Sequence, residues 1–270
     1  MNILIELFNY DFFVNAFLAS MLAAISCGII GTYIVSRRIV FISGGISHAS
    51  FGGIGMGYFL GINPLVGAAI FSSLSAMGIQ WFSSKGKVRE DSSIAIWWSL
   101  GMAIGIIFVY LTPGYAPNLM SYLFGSILTV STGELWLMVA LSGIIVLFFT
   151  LFYRTILYIA FDEDFAKTSD LPVPLFNYLL IILISLTIVL NIRVVGIILI
   201  LSLLTIPQAT ANILTKHFGK MMGYSVGFAF LASFIGLLIS YFADIPSGAT
   251  IIFTQVILFG VVKGIKMIFG

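Results

Sequence analysis

Nine apolar stretches of roughly 20 residues each, ended by charges or turn residues, follow one another at 12–35, 43–61, 64–83, 92–112, 132–153, 174–191, 195–214, 221–242 and 249–267. As helices, stretches of that length match the roughly 30 Å hydrocarbon layer of a bilayer. Lipid offers the backbone no hydrogen-bond partners, so a crossing segment must satisfy its own amides, as a helix does. Composition agrees: 60% of the 270 residues are hydrophobic and 8% charged, against about a quarter charged in soluble domains. The expected fold is all-α, a polytopic membrane protein of about nine transmembrane helices, with eight to ten allowed by the length. No room is left for a soluble domain, so residues 1–270 read as a single transmembrane domain. The breaks at Gly61, Asn63 and Pro64, and at Asn191 and Arg193, rest on short turn signals.

Basic residues set the expected orientation, because short cytoplasmic loops retain Lys and Arg. With the N-terminus outside, the inner side receives Arg37, Arg38, Lys85, Lys87, Arg89, Arg154, Lys167, Lys216, Lys220, Lys263 and Lys266. That is eleven of the 12 basic residues; Arg193 alone falls outside. The C-terminus is then cytoplasmic, and the inner segments are 84–91, 154–174 and 212–223. Glu6 and Asp11 precede the first apolar stretch without a basic n-region, which argues against a cleaved secretory signal. Between the fourth and fifth spans, the apolar run Leu119 to Val130 within Pro113 to Ser131 is too short to cross. It reads as an outer-face helix or a re-entrant segment. Arg154 to Pro174 reads either as a plain solvated loop or as a short surface helix ending near Pro172.

Several function classes are excluded by what is missing. All 10 acids fall at span ends or in loops, so no intramembrane charge relay of the kind found in ion-coupled carriers is visible. H-E-x-x-H does not occur, and no glycine loop is followed by Lys-Ser/Thr. The chain is therefore not an enzyme and does not bind ATP itself. A net charge of +2, with basic residues scattered between apolar runs, gives no nucleic-acid footprint. The single cysteine, Cys27, excludes a disulfide within the chain.

The most informative segment is Phe41 to Gly61. Ala49, Gly53, Gly57 and Gly61 recur every four residues and form a small-residue ridge that lets another helix pack closely. His48 heads the neighbouring face with Gly52 and Met56, and of the 2 histidines it is the one inside a span. Neutral imidazole suits Zn²⁺, Mn²⁺ or Fe²⁺; a hydrogen bond between helices is an equally good use of it. His217, beside Lys216 and Lys220, reads as a loop residue. Pro207, late in an apolar helix, predicts a kink. Beyond it, Asn212 to Gly223 reads as a lever for a soluble partner or as a plain connection. Asp244 reads as an N-cap of the last span, and the acids Glu90 and Asp91, at the cytoplasmic end of the fourth, suit helix N-capping or ligation.

At these segments the chain resembles the integral-membrane permeases of ABC importers for zinc, manganese and iron. The resemblance is carried by Gly45-Ile46-Ser47-His48-Ala49 with Gly52 to Gly61, by Tyr122 to Leu128, and by Phe161-Asp162 with Ala166. Val195-Gly196 through Ile206-Pro207-Gln208-Ala209-Thr210-Ala211 and Asp244-Ile245-Pro246-Ser247-Gly248 continue it in the family's order across essentially the whole chain. One departure stands out: Gly44 occupies the position, four before the histidine, where the family usually has an acid.

The resemblance implies a multi-pass subunit of a prokaryotic cell (inner) membrane that forms the pathway as a homodimer. It implies cytoplasmic ABC ATPase partners, an extracytoplasmic metal-binding protein, and no permanently bound cofactor. Zn²⁺ or Mn²⁺, or else Fe²⁺, would be cargo, with His48 of each copy as a transient ligand. Lys216, His217, Lys220 and Asp162 would face the ATPase. Two alternatives stand beside this reading: a siderophore or cobalamin permease, and a channel or secondary carrier that needs no ATPase.

Overall fold

A computed structural model describes residues 7–113, 125 and 127–269. Every regular element among them is helical. We number them α1 (Asp11–Ser36), α2 (Phe41–Leu60), α3 (Pro64–Ser84), α4 (Glu90–Leu111), α5 (Thr132–Leu151), α6 (Tyr153–Phe161), α7 (Glu163–Thr168), α8 (Val173–Val195), α9 (Ile197–Leu203), α10 (Ile206–Leu214), α11 (Phe218–Ala243) and α12 (Ser247–Phe269). Eight stretches among the described residues are long and apolar enough to cross a membrane, with α9 and α10 counted together. The ninth expected span, α2, has the length at 20 residues, but its glycines and serines dilute its hydropathy.

Two compact units emerge, the first from residues 1–38, 120–153 and 191–270, the second from 39–119 and 154–190. In the first unit, α1 packs against α5, α10 and α11, and α12 packs against α9, α10 and α11. Buried polar groups lock these helices together. Ser142 donates to the Leu22 carbonyl at 3.3 Å, and Asn191 donates to the Ser26 hydroxyl at 3.4 Å. Gln208, fully buried, donates to the carbonyls of Cys27 at 2.9 Å and Leu203 at 3.0 Å. In the second unit, α2 lies between α3 and α4, and the Ser73 and Ser185 hydroxyls, 3.2 Å apart, tie α3 to α8.

Several boundaries differ from the sequence reading. The break expected at Asn191 and Arg193 does not occur there, because α8 runs on to Val195 with Asn191 buried inside it. The interruption comes at Gly196, whose φ of 81° and ψ of 164° belong to a region that side chains exclude. Pro207 does not bend a continuous helix: the chain leaves helical geometry at Leu204–Thr205, and Pro207 lies in the first turn of α10, where its missing N–H costs nothing. Asp244 closes α11 in left-handed geometry (φ 53°) instead of capping α12. Glu90 and Asp91 lie inside the first turn of α4, whose cap is Arg89. There they favour the positive helix end electrostatically. The segment 154–174 holds two helices, α6 and α7, where at most one was expected.

The expected outer-face element lies largely outside the described residues. Of it, Gly125 (φ 58°) abuts the Val195–Gly196 break, where any Cβ would meet backbone. The turn Ile127–Thr129 follows.

Candidate functional site

Glycine is poorly suited to helix interiors, costing up to about 1 kcal/mol each relative to alanine, so α2 must be held by its neighbours. Its geometry shows how. A Cβ on Gly57 would lie 2.8 Å from the Pro64 Cα, and one on Gly53 would strike the Gly67 carbonyl, so these ridge glycines pack on α3. Ala49 meets α4 instead, where a Cβ on Gly101 would fall 2.7 Å from the Ala49 carbonyl oxygen. One turn on, a Cβ on Gly105 would be 2.6 Å from the Phe51 carbonyl oxygen. Gly61 stands apart from the ridge as the left-handed C-cap of α2 (φ 67°), with open space at its Cβ position.

The close approach of α4 at Ala49 determines the surroundings of His48. Trp98, one turn before Gly101, reaches the imidazole and lies flat on it, with ring centroids 4.4 Å apart and planes 5° apart. Phe51 lies on a second side at 6.2 Å and 21°. His48 is half-buried and Trp98 is 36% exposed, so the pair sits at the edge of the unit's packing. An imidazole that binds a cation becomes partly cationic itself, and an indole face favours that by about 0.5–2 kcal/mol. Trp98 and the Gly101/Gly105 pair were missed in the sequence. The four-residue glycine spacing on α4 was the available signal, as it mirrors that of α2.

Among the described residues no cluster of three or more His, Cys, Asp or Glu side chains forms.

The remaining candidates occupy two places. Asp162 caps α7, its carboxylate accepting from the Phe165 amide at 2.9 Å. His217 caps α11, its Nδ1 accepting from the Lys220 amide at 3.4 Å. Lys216 and Lys220, four apart in sequence, do not share a helix face, because α11 begins only at Phe218. Lys216 instead bonds the Asn212 side chain at 3.1 Å. The polar lever read at 212–223 is thereby a three-residue link, Thr215–His217, between two helices.

The sequence match decides the family: the model of the ABC 3 transport family covers residues 9–265. The chain belongs to the ABC 3 transport family. Its relatives agree along nearly their whole length. An uncharacterized membrane protein of Synechocystis sp. is 43% identical over 249 residues, 92% of this chain and 89% of that protein. The manganese transport system membrane protein MntC of Halalkalibacterium halodurans is 33% identical over 254 residues, 94% and 87% of the two chains. The solved structure of PsaBC from Streptococcus pneumoniae in complex with Fab superposes with a TM-score of 0.85 at 30% identity, covering 96% of this chain and 93% of that one.

The metal-importer permease family read from the motifs is therefore the right one. This ABC 3 family member is a multi-pass transport permease of the bacterial cell membrane.

Proposed function

We propose that the chain is the pathway-forming subunit of an ATP-driven importer of divalent transition metal ions, with Mn²⁺ as its main cargo. The observation that carries this is the half-buried imidazole of His48, stacked on Trp98, in a chain 33% identical to a manganese transport system membrane protein. Two copies of the chain bring two His48 imidazoles to a shared pathway and hold the ion transiently between them. The carboxylate that Gly44 lacks would have strengthened the grip, so ligation by imidazole alone favours passage over retention.

Separate ATPase subunits supply the energy, docking on the inner ends of the helices at 84–91, 154–174 and 212–223, with Lys216, His217, Lys220 and Asp162 among the contacts. The N-terminus is outside and the C-terminus inside, where the basic residues gather. ATP-driven closure pushes the α10–α11 link, and the helices rock between outward-open and inward-open states. A binding protein delivers the ion from outside. The test is uptake of labelled Mn²⁺ and Zn²⁺ into vesicles carrying this chain with the ATPase and binding protein encoded beside it. The expected result is ATP-dependent uptake that favours Mn²⁺. A preference for Zn²⁺ would overturn the cargo assignment, and uptake without ATP would overturn the importer.

A further inference from the structure

At one end of the first unit, a groove of about 350 Å³ is lined by Ala209, Asn212, Ile213, Lys216, Lys263, Lys266 and Met267. Three ammonium groups from two separate parts of the chain thus border one opening, and all three lysines are exposed. Lys266 is drawn across to the Ile213 carbonyl, which closes one wall. The described acids of the unit, Asp11, Glu134 and Asp244, stand at the opposite helix ends. The lysines therefore have no carboxylate of their own unit nearby to neutralise them.

From the groove, α12 runs back toward the middle of the unit. Val256, Phe259, Lys263 and Lys266 follow a three-four-three spacing and share one face of α12. Along it Lys263 lies over the Phe259 ring, 5.9 Å from the centroid, and Val256 is half exposed. Below the basic opening, then, runs an apolar track on a membrane-crossing helix.

We infer that this groove binds the headgroup of an anionic glycerophospholipid. The phosphate sits among Lys216, Lys263 and Lys266, and an acyl chain lies along Phe259 and Val256. Basic pockets at the ends of transmembrane helices suit such headgroups, and the track favours a lipid over a soluble partner, which has no means of following α12 into the hydrocarbon. Lys216 also lies on the α10–α11 link, so an occupied site would tie that link to α12.

The experiment uses the full chain purified in detergent and native mass spectrometry with phosphatidylglycerol or phosphatidylcholine. Phosphatidylglycerol should remain bound at about a tenfold lower lipid ratio than phosphatidylcholine. Lys263→Gln with Lys266→Gln should abolish that preference, and Lys263→Arg with Lys266→Arg should keep it, which separates lost charge from lost folding. Equal retention of the two lipids by the wild type would overturn the site. So would a preference that survives the glutamine pair. If that pair keeps the lipid preference but loses a co-purifying ATPase, the groove is a protein dock instead, and the lipid assignment falls.

Discussion

The imidazole of His48 and the indole of Trp98 are stacked almost in parallel, 4.4 Å apart and 5° from coplanar, although 50 residues of chain separate them. The contact exists because Gly101 lets α4 come within backbone distance of Ala49. Trp98 thereby fixes the plane in which His48 presents its nitrogens. Trp98→Ala should weaken apparent metal affinity in transport by about tenfold, the usual scale for losing a group that orients a metal ligand. Trp98→Phe should retain most of it. A readout independent of transport is the rate at which diethyl pyrocarbonate modifies His48, which should rise in Trp98→Ala. An unchanged rate would show that the indole does not shield the ring.

Close packing of α2 makes a second prediction. Gly105→Ala places a methyl 2.6 Å from the Phe51 carbonyl oxygen, a backbone atom that cannot swing aside. Overpacking of this kind costs about 1–3 kcal/mol. Gly260→Ala on α12 meets nothing within 4 Å and should be neutral or stabilising by up to about 1 kcal/mol. Thermal unfolding of the purified variants, followed by size-exclusion fluorescence, compares them directly.

Glu134 does two jobs at the start of α5. One carboxylate oxygen accepts from the Ser131 amide at 2.9 Å, closing a capping box with the Ser131 hydroxyl. The other meets Arg193 at 3.2 Å. Gln preserves a capping box, so Glu134→Gln removes only the ion pair and should cost less than about 1 kcal/mol, as partly exposed pairs do. Ser131→Ala loses the cap and should cost about 1 kcal/mol. A larger effect from Glu134→Gln in the same melting assay would mean that the pair locks more than a helix end.

That pair also shows why some of the fold was legible and some was not. Hydropathy and charge located nearly every membrane helix within a few residues, because backbone satisfaction in lipid leaves few other solutions. Arg193 was the one basic residue that broke the charge pattern, and its partner lies 59 positions away on another helix, beyond the reach of local reading. Asn191 and Arg193 looked like a turn because they are polar, yet Asn191 is buried within α8 and donates to the Ser26 hydroxyl, and the real break needed the positive φ of Gly196. His48 stood out as a histidine within an apolar run. Trp98, an aromatic residue among 15% aromatics, carried no such contrast.

The central claim is that His48 handles the transported ion. The most direct measurement is ATP-dependent uptake of labelled Mn²⁺ into vesicles containing the assembled permease, ATPase and binding protein, with wild type compared with His48→Ala. The account predicts that His48→Ala assembles with its ATPase as the wild type does but loses uptake by about tenfold or more. Undiminished Mn²⁺ uptake by an intact His48→Ala assembly would contradict it and reduce the His48–Trp98 pair to helix packing.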